Sequence, residues 1–108
     1  PDSNPSKKVA LGYLKAYEGK YGAGSRNPFG AYAHDAYLLL DKAVATVGKK
    51  AAPGTPEFRA ALRDALEKTS NLPLTHGINT MSPTDHSGLG DGARVLITID
   101  QNNWKLLK

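Results

Sequence analysis

The chain of 108 residues contains no cysteine. This absence excludes disulfide bonds, thiolate zinc sites and a cysteine nucleophile, and it fits either a cytosolic or a periplasmic protein. No apolar run approaches the roughly 20 residues that span a bilayer, and no basic-then-apolar signal peptide opens the chain. With 40% apolar residues, the sequence predicts at most one domain, either soluble or already processed.

The sequence also lacks a concentrated basic patch. Its 14 Lys and Arg residues and 10 Asp and Glu residues give a net charge of +4, and the basic residues are scattered along the chain. A nucleic-acid surface normally concentrates Lys and Arg on one face, with stacking aromatics between them. We therefore expect a generic solvated surface and no nucleic-acid partner.

Three segments begin with a capping residue followed by proline, a pair that favours the start of a helix. The pairs are Asn4-Pro5, Asn27-Pro28 and Thr55-Pro56. They predict helices over about residues 5–21, 28–47 and 56–69. The spacing of apolar residues predicts the buried faces. These are Ala10, Leu14, Tyr17 and Tyr21 in the first helix, Ala33, Tyr37, Leu40, Val44 and Val47 in the second, and Phe58, Ala61, Leu62, Ala65 and Leu66 in the third.

The pattern changes after the third helix. Alternating residues predict strands at about 77–81, 94–100 and 104–107, with turn formers over 82–92 and a reversal at 101–103 that makes the last two strands a hairpin. Three helices and a few terminal strands form an incomplete α/β set, because the central sheet on which such helices pack is missing. Residues 1–108 are therefore expected to form a single partial domain.

Aromatic residues cluster where the second helix begins. Phe29 and Tyr32 stand there among the small residues Gly30, Ala31 and Ala33. The two rings would project from a helix whose backbone can be approached closely. This arrangement is typical of the wall of a ligand cleft.

Catalytic and metal chemistry receive little support. His34-Asp35 and Asp85-His86-Ser87 contain the residue types of a triad, but the chain has no G-x-S-x-G elbow. The histidines at 34, 76 and 86 lack the i, i+4 spacing of a helical zinc site. We expect no metal, no cofactor and no catalytic residue. Asp85 is instead expected to organise a turn through side-chain to backbone hydrogen bonds.

The order of these elements, with residues 27–37 and 77–107, resembles the C-terminal part of type I periplasmic binding proteins. This is the leucine/isoleucine/valine-binding family, which delivers solutes to ABC importers. The similar segments are Ala16-Tyr17-Glu18-Gly19-Lys20-Tyr21-Gly22, Gly30-Ala31-Tyr32, Phe58 to Leu66, Gly77-Ile78-Asn79-Thr80, Pro83-Thr84-Asp85-His86-Ser87-Gly88 and Val95 to Leu107. The resemblance implies an α/β fold, in which this chain supplies three helices, a short β-strand and a terminal β-hairpin as the C-terminal fragment of a two-lobed protein.

The resemblance also implies a function. The parent protein would be a non-enzymatic component of an ABC importer that binds amino acids or related small organic acids between its lobes. It would be periplasmic, secreted through a signal peptide that this chain does not contain, with a membrane ABC permease as its partner. Family members place an aromatic against the solute at the start of the helix matching residues 28–47, which selects Tyr32 first and Phe29 second.

Two alternatives remain open at this point. A ligand-sensing regulatory domain of the same fold would differ in its partners and not in its pocket, and a small hydrolytic enzyme would use His86. The helices over 5–21 and 28–47 carry apolar stripes that a single hairpin cannot cover. The chain by itself is therefore expected to have an incomplete solute site, and either to self-associate or to pair with a missing part.

Overall fold

Three helices precede two small antiparallel hairpins in the structure, a computed structural model that describes residues 3–107. The helices are α1 (Pro5–Tyr21), α2 (Pro28–Val47) and α3 (Pro56–Glu67). The strands are β1 (Leu72–Pro73), β2 (Ile78–Asn79), β3 (Ile97–Asp100) and β4 (Asn103–Leu106), and a 3-10 turn covers Asp91–Ala93. Strand β1 pairs with β2, and β3 pairs with β4. The predicted set of three helices, a short strand and a terminal hairpin is confirmed.

Each helix begins at a proline that follows a hydrogen-bonded cap. The side-chain oxygen of Asn4 accepts from the amide of Ser6 at 3.0 Å, and that of Thr55 accepts from Phe58 at 3.1 Å. Such caps satisfy amides that the first turn of a helix leaves without partners. None of the helices formed by residues 3–107 combines the length and apolarity that a membrane-spanning segment needs.

The helices share only a small buried core. Helix α3 packs along α2, and α1 contacts α2 and β1. Within the described part of the chain, the buried apolar side chains are Ala43, Val47 and Leu74. The molecule measures 55 × 33 × 22 Å and has a radius of gyration of 16.8 Å, whereas a compact domain of this length has about 13 Å. The described chain is therefore elongated, with much of its apolar surface uncovered.

The predicted buried face of α2 is wrong. Of the apolar row that the spacing selected, Val47 is buried, whereas Tyr37, Leu40 and Val44 are exposed, as is Ala33. The buried residues of α2 are instead Asp35, Ala43 and Val47. Helix α3 packs along α2, and Thr75 and His76 hydrogen-bond to Asp35. The physical reason is that α2 is apolar on more than one side and the described chain covers one of them.

The other helices keep more of their predicted faces. In α1, Ala10, Leu14 and Tyr17 are half-buried, and Tyr21 is exposed. The predicted apolar face of α3 is half-buried throughout. Helix α3 ends at Glu67, two residues before the predicted end, because the amide of Thr69 bonds to the carbonyl of Leu66 and tightens the chain into a turn.

The strands are shorter than predicted. The strand predicted over 77–81 reduces to Ile78–Asn79, because the amides of Thr80 and Met81 turn to the carbonyls of Gly88 and Thr69 instead of continuing one ladder. Its partner, Leu72–Pro73, was not predicted.

The hairpin shows a similar difference. Strand β3 starts at Ile97 and not at 94, because the 3-10 turn before it takes the amide of Arg94. The return strand β4 runs from Asn103 to Leu106, one residue earlier than predicted. The two residues of the turn are Gln101 and Asn102, both with positive φ, as a two-residue type I′ turn requires.

The turn over residues 82–88 is organised by Asp85, as predicted. Its Oδ1 accepts from the amides of Ser87 at 2.9 Å and of Gly88 at 3.0 Å. Gly88 has φ +66°, and a Cβ built there would lie 2.6 Å from the Nδ2 atom of Asn79. Asn79 is 2% exposed, so it has little room to move. Gly88 is thus required both by its backbone conformation and by a close approach.

We expect Gly88→Ala to lower the free energy of unfolding by about 2 kcal/mol, because the new methyl group needs a positive φ and meets a buried side chain. Gly92→Ala is the matched control, since a Cβ there meets no atom within 4 Å. Urea unfolding of the two variants checks this. Equal midpoints would contradict the close approach at Gly88.

Candidate functional site

The start of α2 presents the two aromatic rings that the sequence singled out. Oδ1 of Asn27 accepts from the amide of Gly30 at 2.9 Å, and Pro28 occupies the first helical position. Phe29 and Tyr32 follow within the first two turns, 79% and 53% exposed. The local sequence therefore fixes the helix start, and the helix start directs both rings outward.

The ring of Tyr32 is stacked on the ring of His76. Their centroids are 3.7 Å apart and the planes differ by 1°. His76 follows β1 in the chain and its side chain is 23% exposed. One face of the tyrosine ring is therefore covered by the imidazole, and more than half of the residue remains open to solvent.

A buried carboxylate holds the segment that carries His76. Oδ1 of Asp35 accepts from the amide of Thr75 at 2.7 Å. Oδ2 accepts from the Thr75 hydroxyl at 2.8 Å, from Nδ1 of His76 at 2.8 Å and from the His76 amide at 3.3 Å. The Asp35 side chain is 8% exposed. Four donors thus compensate the loss of water that burial imposes on the charge.

The hydrogen bond to Asp35 also selects the tautomer of the imidazole. A carboxylate can only accept, so Nδ1 carries the proton in this arrangement. In the neutral ring Nε2 is then an acceptor. The ring plane is set by the Nδ1 bond on one side and by the tyrosine face on the other.

A cavity of about 320 Å³ adjoins this arrangement, between α1, the start of α2 and residues 75–76. Its walls include Leu14, Arg26, Pro28 and Ala31. The hydroxyl of Tyr13 is buried and has no hydrogen-bond partner among residues 3–107. Burial raises the pKa of the Tyr13 phenol, and the neighbouring Tyr17 and Tyr21 raise it further. The cavity is thus mainly apolar with a neutral phenol in its wall.

The residues that suggested hydrolytic or metal chemistry are not assembled into such a site. Asp85 bonds to turn amides, and Nε2 of His86 lies 3.2 Å from Oε1 of Glu67. His34 lies against the ring of Tyr13, with centroids 5.1 Å apart. Within residues 3–107, no three His, Cys, Asp or Glu side chains are grouped closely enough to hold a metal ion.

Solved structures provide the decisive comparison. An extracellular ligand-binding receptor from Rhodopseudomonas palustris superposes on 100% of this chain with a TM-score of 0.87 and 36% sequence identity. A receptor of the same description from Rhodopseudomonas palustris HaA2 gives the same values. A protein from Rhodopseudomonas palustris strain CGA009 is 38% identical, with a TM-score of 0.87.

This chain is similar to extracellular ligand-binding receptors. It spans 30% of the length of the receptors it matches, as expected for part of a larger ligand-binding fold. The sequence prediction of that fold class is therefore confirmed. No protein-family model matches the chain, and no curated protein matches it either.

Sequence reasoning missed the residues that surround Tyr32. Asp35 was considered only as a neighbour of His34, and Thr75 was not considered. One available signal was the acidic Asp35 in the mostly apolar first half of α2. A carboxylate that is buried there needs hydrogen-bond donors from elsewhere in the chain. The donors themselves could not be identified from the sequence, because they lie about 40 positions away from Asp35.

We expect Asp35→Asn to lower the free energy of unfolding by about 2 kcal/mol, because the amide nitrogen would face donors that now meet a carboxylate oxygen. Asp64→Asn is the control, since Asp64 is half-exposed and contacts Arg63 on the surface. That variant should stay within about 0.5 kcal/mol of the unmodified protein. Denaturant unfolding with both variants checks the prediction, and equal losses would contradict the role of Asp35.

Proposed function

We propose that this chain is part of the solute-binding component of an ABC importer, which binds amino acids or related small organic acids. The observation that carries the proposal is the exposed pair of aromatics at the start of α2, Tyr32 and Phe29, in a chain similar to ligand-binding receptors. Tyr32 is the principal ligand contact and Phe29 the second. The protein acts outside the cytoplasm, in the periplasm, and delivers its solute to a membrane permease.

Several features support a ligand contact at Tyr32. Its ring is supported on one face by His76 and open elsewhere, and aromatic rings offer large contact areas with few rotatable bonds. A solute that touches this ring and a second lobe stabilises the closed form of a two-lobed receptor. It does so only to the extent that it binds the closed form more tightly than the open one.

A regulatory sensor of the same fold would use the same contacts. The difference would lie in the protein that recognises the closed form. The two functions are distinguished by the membrane protein that the solute-loaded receptor binds, which is a permease for an importer and a signalling protein for a sensor.

We expect Tyr32→Ala in the intact receptor to weaken solute binding by about 1–3 kcal/mol, because the solute loses the burial of an aromatic ring. The probes are the standard L-amino acids and short-chain carboxylic acids, and the tightest binder is measured by titration calorimetry. Tyr37→Ala is the matched control, since Tyr37 lies on the same helix and is 60% exposed. Unchanged affinity in Tyr32→Ala would remove this residue from the site.

The uncovered apolar surface belongs to the same proposal. Apolar side chains of the hairpin segment are exposed, among them Leu96 at 76% and Trp104 at 74%, together with Val95, Ile97, Ile99, Leu106 and Leu107. The register pairs Ile97 with Leu106 and Ile99 with Trp104, so these four side chains share one face of the hairpin. An exposed apolar face of this kind normally marks an interface. We propose that further polypeptide covers it, either the remainder of a two-lobed receptor or a second copy of this chain.

A polypeptide of these 108 residues alone is accordingly expected to self-associate and to bind the amino-acid and carboxylate probes far more weakly than the intact receptor does. Sedimentation velocity and calorimetry measure the two properties. A compact monomer with tight solute binding would contradict the proposal of a partial site.

A further inference from the structure

The structure assigns to His76 the role of a positioning residue. Asp35 holds its imidazole, and the imidazole fixes the ring of Tyr32 for the ligand. The inference rests on the proposed function in one respect, namely that Tyr32 contacts the ligand. The inference adds two residues to the proposed site. His76 is a specificity-determining residue from a distant part of the chain, and Asp35 supplies the carboxylate that holds it.

The first step is the rigidity of the imidazole. An exposed histidine turns freely about its two side-chain torsions. In this structure the His76 amide and its Nδ1 atom both donate to the same carboxylate oxygen of Asp35, at 3.3 and 2.8 Å. The adjacent Thr75 donates to the carboxylate through both its amide and its hydroxyl. Backbone and ring are therefore fixed together, and the ring plane follows from the position of Asp35 on α2.

The second step is the transfer of this order to Tyr32. Asp35 and Tyr32 lie one turn apart on α2, so the helix that holds the carboxylate also carries the tyrosine. The imidazole bound by the first residue covers the ring of the second, with centroids 3.7 Å apart and planes 1° from parallel. Because Tyr32 is 53% exposed, the described residues offer its ring few other constraints. Removal of the imidazole releases the tyrosine to its alternative rotamers.

The third step is the effect on binding. A receptor whose contact ring is already ordered loses less side-chain entropy when the ligand arrives. Loss of this order is expected to weaken binding about threefold to tenfold. The loss is also expected to reduce the difference in affinity between ligands of different shape, since a mobile ring fits several shapes equally.

A competing interpretation is that His76 only attaches the segment after β1 to α2. In that case its substitution would change stability and would affect every ligand contact alike. The positioning role predicts instead that the effects of His76 and Tyr32 on binding are coupled. The two interpretations therefore differ in a double-mutant cycle.

The test uses the intact receptor with His76→Asn, whose side-chain amide occupies the place of Nδ1 and keeps a donor for Asp35 while the ring is lost. His86→Asn is the matched control, because it makes the same chemical change at a histidine whose side chain is 66% exposed. Thermal unfolding establishes whether each variant is folded.

Nuclear magnetic resonance of the tyrosine ring protons needs no ligand. In the unmodified receptor we expect nuclear Overhauser contacts between the rings of Tyr32 and His76, and Tyr32 resonances shifted upfield by the imidazole. His76→Asn should move these resonances towards those of an exposed tyrosine, and His86→Asn should leave them in place. Absence of the ring contacts in the unmodified receptor overturns the inference, even if His76→Asn does not fold.

Calorimetry with the tightest binder among the L-amino acids and short-chain carboxylic acids completes the test. We expect His76→Asn to raise Kd about threefold to tenfold in the unmodified background, and to change it by less than about twofold in the Tyr32→Ala background. Equal losses in both backgrounds would overturn the positioning role. If Tyr32→Ala itself leaves Kd unchanged, the proposed ligand contact fails. If Tyr32→Ala weakens binding and His76→Asn does not, only the positioning role fails.

Discussion

The carboxylate of Asp35 connects two parts of the chain that are distant in sequence, α2 and the segment that follows β1. It lies on the buried side of α2 and accepts four hydrogen bonds from Thr75 and His76, about 40 residues further along the chain. A buried charge without such donors would cost several kcal/mol. The segment after β1 is therefore bound to α2 in one orientation. This constraint fixes Thr75 and His76 between β1 and β2, and it holds the imidazole against the ring of Tyr32.

A polar contact can have this importance because the apolar core is small. Among residues 3–107 the buried apolar side chains are Ala43, Val47 and Leu74, a small core for three helices and two hairpins. Hydrophobic contacts are tolerant of small displacements, whereas hydrogen bonds to a carboxylate are directional. In an elongated molecule of this kind, the directional contact determines the geometry around Tyr32.

The sequence was sufficient to predict the features that depend on neighbouring residues, such as helix starts and tight turns. Asn27 and Pro28 specify the start of α2 without help from the rest of the chain, and Asp85 forms its turn with amides two and three positions away. The face of α2 that is buried could not be predicted, because several of its faces are apolar and contacts with distant parts of the chain decide between them. Pairing of Leu72–Pro73 with β2 was also hidden, since proline lacks the amide that a strand pattern assumes. The contact of Asp35 with His76 depends on tertiary folding alone.

The tight turn of the terminal hairpin has a consequence for whatever covers that hairpin. Gln101 and Asn102 both adopt positive φ, at 49° and 61°, which gives the two strands a twist that matches their own handedness. Four residue pairs then face each other from Ile97↔Leu106 to Asp100↔Asn103. The hairpin is thus preorganised by its own local geometry before any partner arrives. A protein surface that packs against Trp104 and Ile99, which are paired across the two strands, meets strands already in register, so association does not have to offset the entropy cost of ordering them.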